Sequence, residues 1–322
     1  MNPLVSVCIP AYNAEKYVAE ALDSVLSQSY PHIEIVVVND GSTDQTARVL
    51  DGYRMKGVKV IHQENKGQCV AANRAFRESQ GELIKFFDAD DILSERFVEL
   101  QVEKLQKHPN SIASAEWGRF YNDDIRTYKL NPEDVWQDMK PLDWLLTSMR
   151  GGLNMMQCAL WLIPRPLLEK AGVWDERLSL INDFEFMIRV ILHAEGIRFT
   201  PGARLLYRSG IAQSLSQQKS PAAMKSAYLS TRLGCQYILK MENTSRARKV
   251  CANVWQQRVY EFYPSYKPLA EKAEQHVKDL GKPSVSLPAG PGLKLLARLL
   301  GWKLAKSLQY YYYQRGFSPI FK

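Results

Sequence analysis

The last 42 residues of this 322-residue chain contain no acidic side chain, yet residues 281–322 carry seven Lys and Arg. Residues 217–280 hold 11 basic against 5 acidic side chains, and residues 1–216 hold 24 basic against 29 acidic. The formal net charge of +8 therefore conceals an acidic front and a basic rear. Cysteine is scarce: Cys8, Cys69, Cys158, Cys235 and Cys251 are odd in number, widely spaced and without a CxxC pair. That argues against a disulfide framework or a structural zinc site, and for reduced thiols in the cytoplasm. No apolar run approaches the ~18 residues of a spanning helix. The opening MNPLVSVCIP lacks a basic n-region and a long apolar h-region, so it reads as a strand rather than a signal peptide. G-x-G-x-x-G and G-x-x-x-x-G-K-[ST] are missing, which disfavours the usual dinucleotide enzymes and P-loop NTPases. HExxH and G-x-S-x-G are missing too, which disfavours catalytic zinc and a hydrolase elbow. The five histidines are scattered, each better explained structurally.

What is present is ordinary globular material, 46% hydrophobic and 24% charged. Residues 4–9 (LVSVCI), 33–38 (IEIVVV), 58–62 (VKVIH) and 82–87 (ELIKFF) read as strands. Between them lie helical patterns, one with Tyr17, Val18, Ala21, Leu22, Val25 and Leu26 at helical spacing and Asn13 as its cap. Strand–helix alternation with short links predicts a mainly parallel sheet covered by helices, with ligands at the strands' carboxyl ends. Asn39-Asp40 and Asp88 to Asp91 fall at such ends. Further strands are expected near 113–121, 158–163 and 197–208, and a helix over 182–194. From 217 onward the pattern is helical, near 220–241, 246–262, 266–279 and 292–314, with a Pro/Gly linker before the last.

Asp88, Asp90 and Asp91 crowd four residues after a strand. Carboxylates so close repel unless they are solvated or neutralised. Mg²⁺ and Mn²⁺ suit oxygen ligands and need only one or two protein carboxylates when phosphates supply the rest. A solvated turn capping the next helix explains the cluster equally well, Asp91 above all. Asp40 could accept from a base N–H or a ribose hydroxyl, or simply be a turn residue before Gly41. Asp183 at the start of a helix is favoured by the macrodipole whatever else it does.

The order of motifs resembles that of family 2 glycosyltransferases. The resemblance is carried by VSVCIPAYNAEKYVAEALDSVLSQSYPHIEIVVVNDGSTDQT, NKGQCVAANRAF, GELIKFFDADD and LLEKAGVWDERLSLINDFEFMIRV, over about residues 4–209. It implies a GT-A fold: α/β, Rossmann-like, with a mainly parallel sheet and flanking helices. A catalytic domain over 1–216 would comprise a nucleotide-binding half (1–110) and an acceptor half (111–216). A helical, basic region (217–322) would follow.

The resemblance also implies roles. Pro10, Ala11 and Tyr12 would line the nucleotide pocket, and Asp40 would bond the base, uracil or thymine, of a UDP- or dTDP-linked sugar. Asn65, Lys66 and Gly67 would lie nearby. Asp88 would approach the ribose or donor sugar, and Asp90 would coordinate Mn²⁺ or Mg²⁺ on the diphosphate. Asp183 would be the general base of a single inverting displacement onto a glycan or lipid-linked hydroxyl, in the manner of bacterial surface-polysaccharide enzymes. Two departures stand out: Asn39 and Asn182 occupy positions where the family often has Asp and Glu. On the acceptor side Glu116, Trp117, Asn122, Asp123, Trp136, Trp144 and Gly151-Gly152 are candidates, although a Trp is more often core.

In the last helix, Leu293, Leu296, Leu300, Leu304 and Leu308 make one stripe. Lys294, Arg298, Lys303 and Lys306 lie off it, and Trp302, Tyr310 to Tyr313, Phe317 and Phe321 add aromatics. A basic amphipathic helix of this kind suits an anionic membrane surface, which would place the protein peripherally at the inner face of the plasma membrane. Packing of the stripe on the catalytic domain or on a second subunit is the other reading. Two rival functions are a nucleotidyltransferase acting on sugar phosphates, which the missing Gly-rich loop disfavours, and nucleic-acid binding by the basic rear, which the acidic front disfavours.

Overall fold

A computed structural model describes residues 2–152, 154, 156–211 and 219–315. The chain divides into two compact units, 1–147 with 155–218, and 148–154 with 219–322. The first unit begins with the alternation β1 (Val5–Ala11), α1 (Val18–Leu26), β2 (Ile33–Asp40), α2 (Thr46–Tyr53), β3 (Lys59–Gln63), α3 (Gln68–Arg77) and β4 (Leu83–Phe86). Val5, Val7, Cys8, Ile9 and Val36 to Val38 are buried, because helices cover both faces and leave no place for alternating polar residues. In α1, Val18, Ala21, Leu22 and Val25 bury one stripe, as their spacing requires.

The sheet runs β3-β2-β1-β4-β8, where β8 (Ile163–Pro164) pairs antiparallel with β4 and the others are parallel. The chain steps outward from β1 to β3 and then returns to the other side of β1 at β4. The boundary between β1 and β4 is therefore a topological switch point, the place where open α/β sheets leave a crevice. A second sheet, β5 (Ile92–Leu93), β9 (Ile197–Ser209), β6 (Ile112–Tyr121) and β7 (Asp124–Leu130), is ordered β5-β9-β6-β7 with β6 and β9 parallel. Helices α4 (Phe97–Gln106), α5 (Pro141–Ser148), α6 (Arg165–Ala171) and α7 (Asn182–His193) complete this region.

The second unit contains α8 (Pro221–Met241), α9 (Ser245–Phe262), α10 (Lys267–Leu280), α11 (Pro291–Leu300) and α12 (Trp302–Gln314). Ser220 and Thr244 cap α8 and α9, their side chains accepting from Ala223 N and Ala247 N. Gly152 belongs to this unit, packed against the Asn253 carbonyl where a Cβ would come within 2.7 Å. No described helix is long and apolar enough to cross a membrane.

Three local expectations are corrected. Asn13 does not cap α1; its Oδ1 accepts from Thr43 N at 2.8 Å and ties two loops together. The helix expected over 292–314 is two helices, because Gly301 adopts a left-handed φ of +78° that interrupts the ladder. Phe317 and Phe321 lie outside the described residues. The strand expected near 158–163 is a 3-10 turn over Cys158–Leu160 followed by the two residues of β8.

The turn's carbonyls go to side chains instead. Lys85, fully buried in β4, donates from Nζ to Ala159 O at 2.7 Å, Trp161 O at 3.2 Å and Gln101 Oε1 at 3.2 Å, and it lies over the Phe97 ring. Gln101 in turn donates to Leu160 O at 2.8 Å. Burial holds the Lys85 amine well below its usual range. Lys85→Met keeps the volume but strands three buried acceptors. Each stranded group costs about 1–3 kcal/mol, so urea denaturation should show the first unit destabilised by at least about 3 kcal/mol; a midpoint equal to wild type would remove Lys85 from this role.

Candidate functional site

Sheet order and register bring the polar ends of β1, β2 and β4 to one edge. Pro10 pairs with Val38, Ala11 with Asn39, and Cys8 with Phe86, so Pro10, Asp40 and Asp88 all emerge there. On the β2 side, Asp40 is buried and accepts from Gln63 Nε2 at 2.7 Å, Lys66 N at 2.9 Å and Gly67 N at 2.8 Å. The expected group Asp40, Asn65, Lys66 and Gly67 is thus assembled, with Asp40 holding the loop by its backbone. Gly41 has a φ of +69°, and a Cβ there would sit 2.6 Å from Asn65 N, so glycine permits the approach. Tyr12 is half exposed at the same edge.

Gln68 carries the connection across the switch point. Its Nε2 donates to Asp88 Oδ1 at 3.1 Å, and its Oε1 accepts from Asn182 Nδ2 at 3.0 Å. Asn182 Nδ2 also lies 3.2 Å from Cys69 Sγ. A glutamate at 182 has no hydrogen to give to Gln68, which is a physical reason for the amide here. Asn39 is likewise used as an amide: its Oδ1 accepts from Ser42 N at 3.2 Å, and its Nδ2 meets His62 Nδ1 at 3.0 Å.

Asp88, Asp90 and Asp91 take different places within one turn. Asp91 is buried and accepts from Arg208 N at 2.9 Å, so it anchors the turn to β9. Arg208, lying between the Tyr17 and Phe120 rings, donates from Nε to Asp90 O at 2.7 Å and pairs with Glu20 and Asp123. Gln157 donates from Nε2 to Asp88 Oδ2 at 3.1 Å and to Asp91 as well. Burial and then the Asp88 carboxylate push the Asp90 carboxyl up to about 7. Burial, with Asp90 and Asp88 adding, holds Asp91 well above the usual carboxylate range.

Asp183 sits in the first turn of α7, and the preceding Ile181 has φ +59°, an outlying conformation for a β-branched residue. Burial first, then the Asp88 charge, raises the Asp183 carboxyl well above its usual range, against a hydrogen bond from the Cys158 backbone N–H. Asp88, Asp90 and Asp183 therefore share one electrostatic environment. A cavity of about 10 Å³ at the switch point is lined by Pro10, Gln68, Cys69, Asp88, Cys158 and Asn182, among others, and is backed by Trp174 and Phe86. Trp174 stacks on Phe186 at 3.9 Å.

Sequence reasoning missed Gln68, Gln157 and Arg208. Only Gln68 carried a signal, lying inside a motif. Of the acceptor-side candidates, Trp117 and Trp144 are core, Trp144 edge-on to Trp161 at 5.0 Å, while Trp136 stacks on Phe199.

A family described as glycosyl transferase family 2 matches residues 6–171, just over half of the chain. The chain belongs to that family. It is 41% identical over 160 residues to TuaG of Bacillus subtilis, a putative teichuronic acid biosynthesis glycosyltransferase, covering 48% of this chain and 62% of TuaG. It is 38% identical over 127 residues to the glycosyltransferase GlyG of Streptococcus pneumoniae, covering 38% of this chain and 41% of GlyG. The chain thus matches less than two thirds of either relative. A crystal structure of S. aureus TarS 1-349 in complex with UDP-GlcNAc superposes with a TM-score of 0.71 at 20% identity, covering 99% of this chain and 94% of that one. At that identity the likeness carries the fold, which is the GT-A type expected from the sequence.

Among the described residues no three His, Cys, Asp or Glu side chains converge on a common point as a metal cage. The chemistry of the acidic turn nonetheless fits a hard cation that takes most of its ligands from phosphate and water. Its carboxyls are raised by burial and mutual repulsion, and a cation relieves both. A carboxyl raised from about 3.9 to about 7 makes the native state less stable as pH climbs through that window. The cation must displace fewer protons above it. Mn²⁺ should therefore raise the melting temperature more at about pH 8 than at about pH 6, and Asp90→Asn should abolish the difference. An increment independent of pH would disconnect Asp90 from the metal.

Proposed function

We propose that this chain is a metal-dependent inverting glycosyltransferase that moves a sugar from a nucleotide donor to a hydroxyl of a lipid-linked or polysaccharide acceptor. The observation that carries the reading is the shared environment of Asp88, Asp90 and Asp183 at the switch point. Membership of family 2 and the named function of TuaG support it. Pro10, Ala11, Tyr12 and the Asp40–Gly67 cluster would receive the nucleoside, UDP or dTDP by chemistry. Asp40 has spent three acceptor positions on Gln63, Lys66 and Gly67, so it would address the base with the remaining one on Oδ2. Asp88 would face the ribose or sugar. Asp90 would hold Mn²⁺ or Mg²⁺, which when bound supplies charge stabilisation for the leaving diphosphate.

Asp183 would accept the proton of the acceptor hydroxyl as its oxygen attacks the anomeric carbon. A desolvated carboxyl with a raised pKa is the stronger base, and its place beside Cys158 keeps water from solvating it. The Asp183→Asn variant should bind donor as wild type does and transfer about 10²–10⁴-fold more slowly. Turnover near the wild-type rate would remove Asp183 from the base role.

We also propose that the second unit rests on an anionic membrane surface. In α11 no side chain is buried, and Leu299 is 72% exposed. Leu295 and Leu299 on α11, and Leu304, Leu308 and Tyr311 on α12, are exposed at i,i+4 and i,i+3 spacings. This differs from the expected stripe, since Leu293 and Leu296 are half-buried. Lys303 pairs with Glu274 at 2.6 Å and Lys306 donates to Tyr260 O, so both cations are engaged by neighbouring helices of the unit. Lys294 and Arg298 are exposed beside the leucines, within a segment that has no acid. Truncation is a poor test because Trp302 packs edge-on against Tyr260 and Tyr263. Replacing Leu295, Leu299, Leu304 and Leu308 by Ser should instead abolish co-sedimentation with phosphatidylglycerol vesicles and leave the melting temperature unchanged. Undiminished sedimentation would refute the lipid contact.

A further inference from the structure

We propose that Gln157 contacts the transferred sugar, holding Asp88 and Asp91 with its amide nitrogen and offering its amide oxygen to a hydroxyl or N–H of that sugar. The inference rests on the glycosyltransferase reading. The Gln157 side chain is 5% exposed, and its Nε2 donates to both Asp88 and Asp91. One amide nitrogen faces both carboxylates, so the NH₂ is turned towards them and the oxygen away. That oxygen, Oε1, is buried and has no hydrogen-bond partner. An orphaned buried acceptor costs about 1–3 kcal/mol unless something donates to it.

The position of Gln157 identifies the donor. Its side chain joins Asp88, the carboxylate expected at the ribose or donor sugar, to Asp91, which anchors the same turn. The next residue, Cys158, lines one cavity with Asp88 and Asn182, the neighbour of Asp183, the carboxylate expected at the acceptor hydroxyl. The transferred sugar must lie against Asp88 on this reading, and the amide lies against the same carboxylate. The segment is also stiff, since Lys85 and Gln101 clamp the carbonyls of Ala159, Leu160 and Trp161. An acceptor fixed in advance loses little freedom on binding, so its hydrogen bond is fully available to the ligand. A neutral amide has a further merit here: it satisfies two carboxylates without adding a positive charge that would compete with a cation at Asp90.

The test compares two ligands on the full chain. Titration calorimetry with Mn²⁺ present gives the affinities for UDP and for UDP-GlcNAc, and their ratio isolates the sugar. Gln157→Met removes both donor and acceptor. Gln157→Lys keeps a donor for Asp88 and Asp91 and removes the acceptor; its charge offsets their repulsion, so it stays folded even where the Met variant does not, and any weakening of Mn²⁺ falls on both ligands and leaves their ratio. Both variants should weaken UDP-GlcNAc relative to UDP about tenfold, the worth of one neutral hydrogen bond. An unchanged ratio in both overturns the sugar contact, even where each affinity falls. Wild-type protein that binds UDP but has no affinity for the sugar moiety overturns it as well. Wild-type protein that binds neither ligand, nor dTDP and a dTDP-linked sugar, overturns the glycosyltransferase reading beneath it.

Discussion

Three carboxylates within four residues, placed where a parallel sheet divides, are the constraint on which the first unit depends. Asp88, Asp90 and Asp91 cannot all ionise in a partly desolvated turn without help, and the surrounding chain is arranged around that difficulty. Asp91 is bonded to the Arg208 backbone, Asp88 to Gln68 and Gln157, and the Arg208 guanidinium takes the Asp90 carbonyl. Asp90 is left with the least protein support for its carboxylate, which is the property a cation ligand needs. The partition of roles follows from hydrogen-bond supply, not from the identity of the side chains, which are the same.

The same economy explains the two departures from the family's usual residues. Asn39 and Asn182 each spend their amide hydrogens on a neighbour, His62 in one case and Gln68 with Cys69 in the other. A carboxylate has no hydrogen to give to Gln68 Oε1, and a second acid at 182 would add a charge beside Asp183 and Asp88. The substitutions reduce the negative charge that the site must carry while keeping the loops in place.

The second unit obeys different rules. Its inner helices bury Trp255 and Phe262, whereas its last two present leucines and a tyrosine to the outside. The left-handed Gly301 separates α11 from α12, so that α12 can pack through Trp302 and Lys306 while α11 fully buries no side chain. An uninterrupted helix would have carried one stripe, as its spacing suggests. The break redistributes which leucines are exposed, and two of the four cations are engaged by the unit's own helices.

Much of the fold was legible in the residues. The Val/Ile runs of β1 and β2, the helical spacing in α1 and the acids at strand ends follow from local patterning, which has a period and so can be read along the chain. Family motifs then carried Asp40, Asp88, Asp90 and Asp183. What the chain order could not convey was the turn at Cys158–Leu160, because its conformation is dictated by Lys85 and Gln101, more than fifty residues away. Nor could it reveal Gln157 and Arg208, two polar residues in apolar surroundings with no spacing to mark them. The sequence by itself determined where carboxylates would stand, at the ends of strands whose apolar character is local. Only the tertiary structure decided which of them keeps a proton, which anchors a turn and which stays available. Those outcomes depend on burial and on hydrogen-bond donors supplied across long distances along the chain.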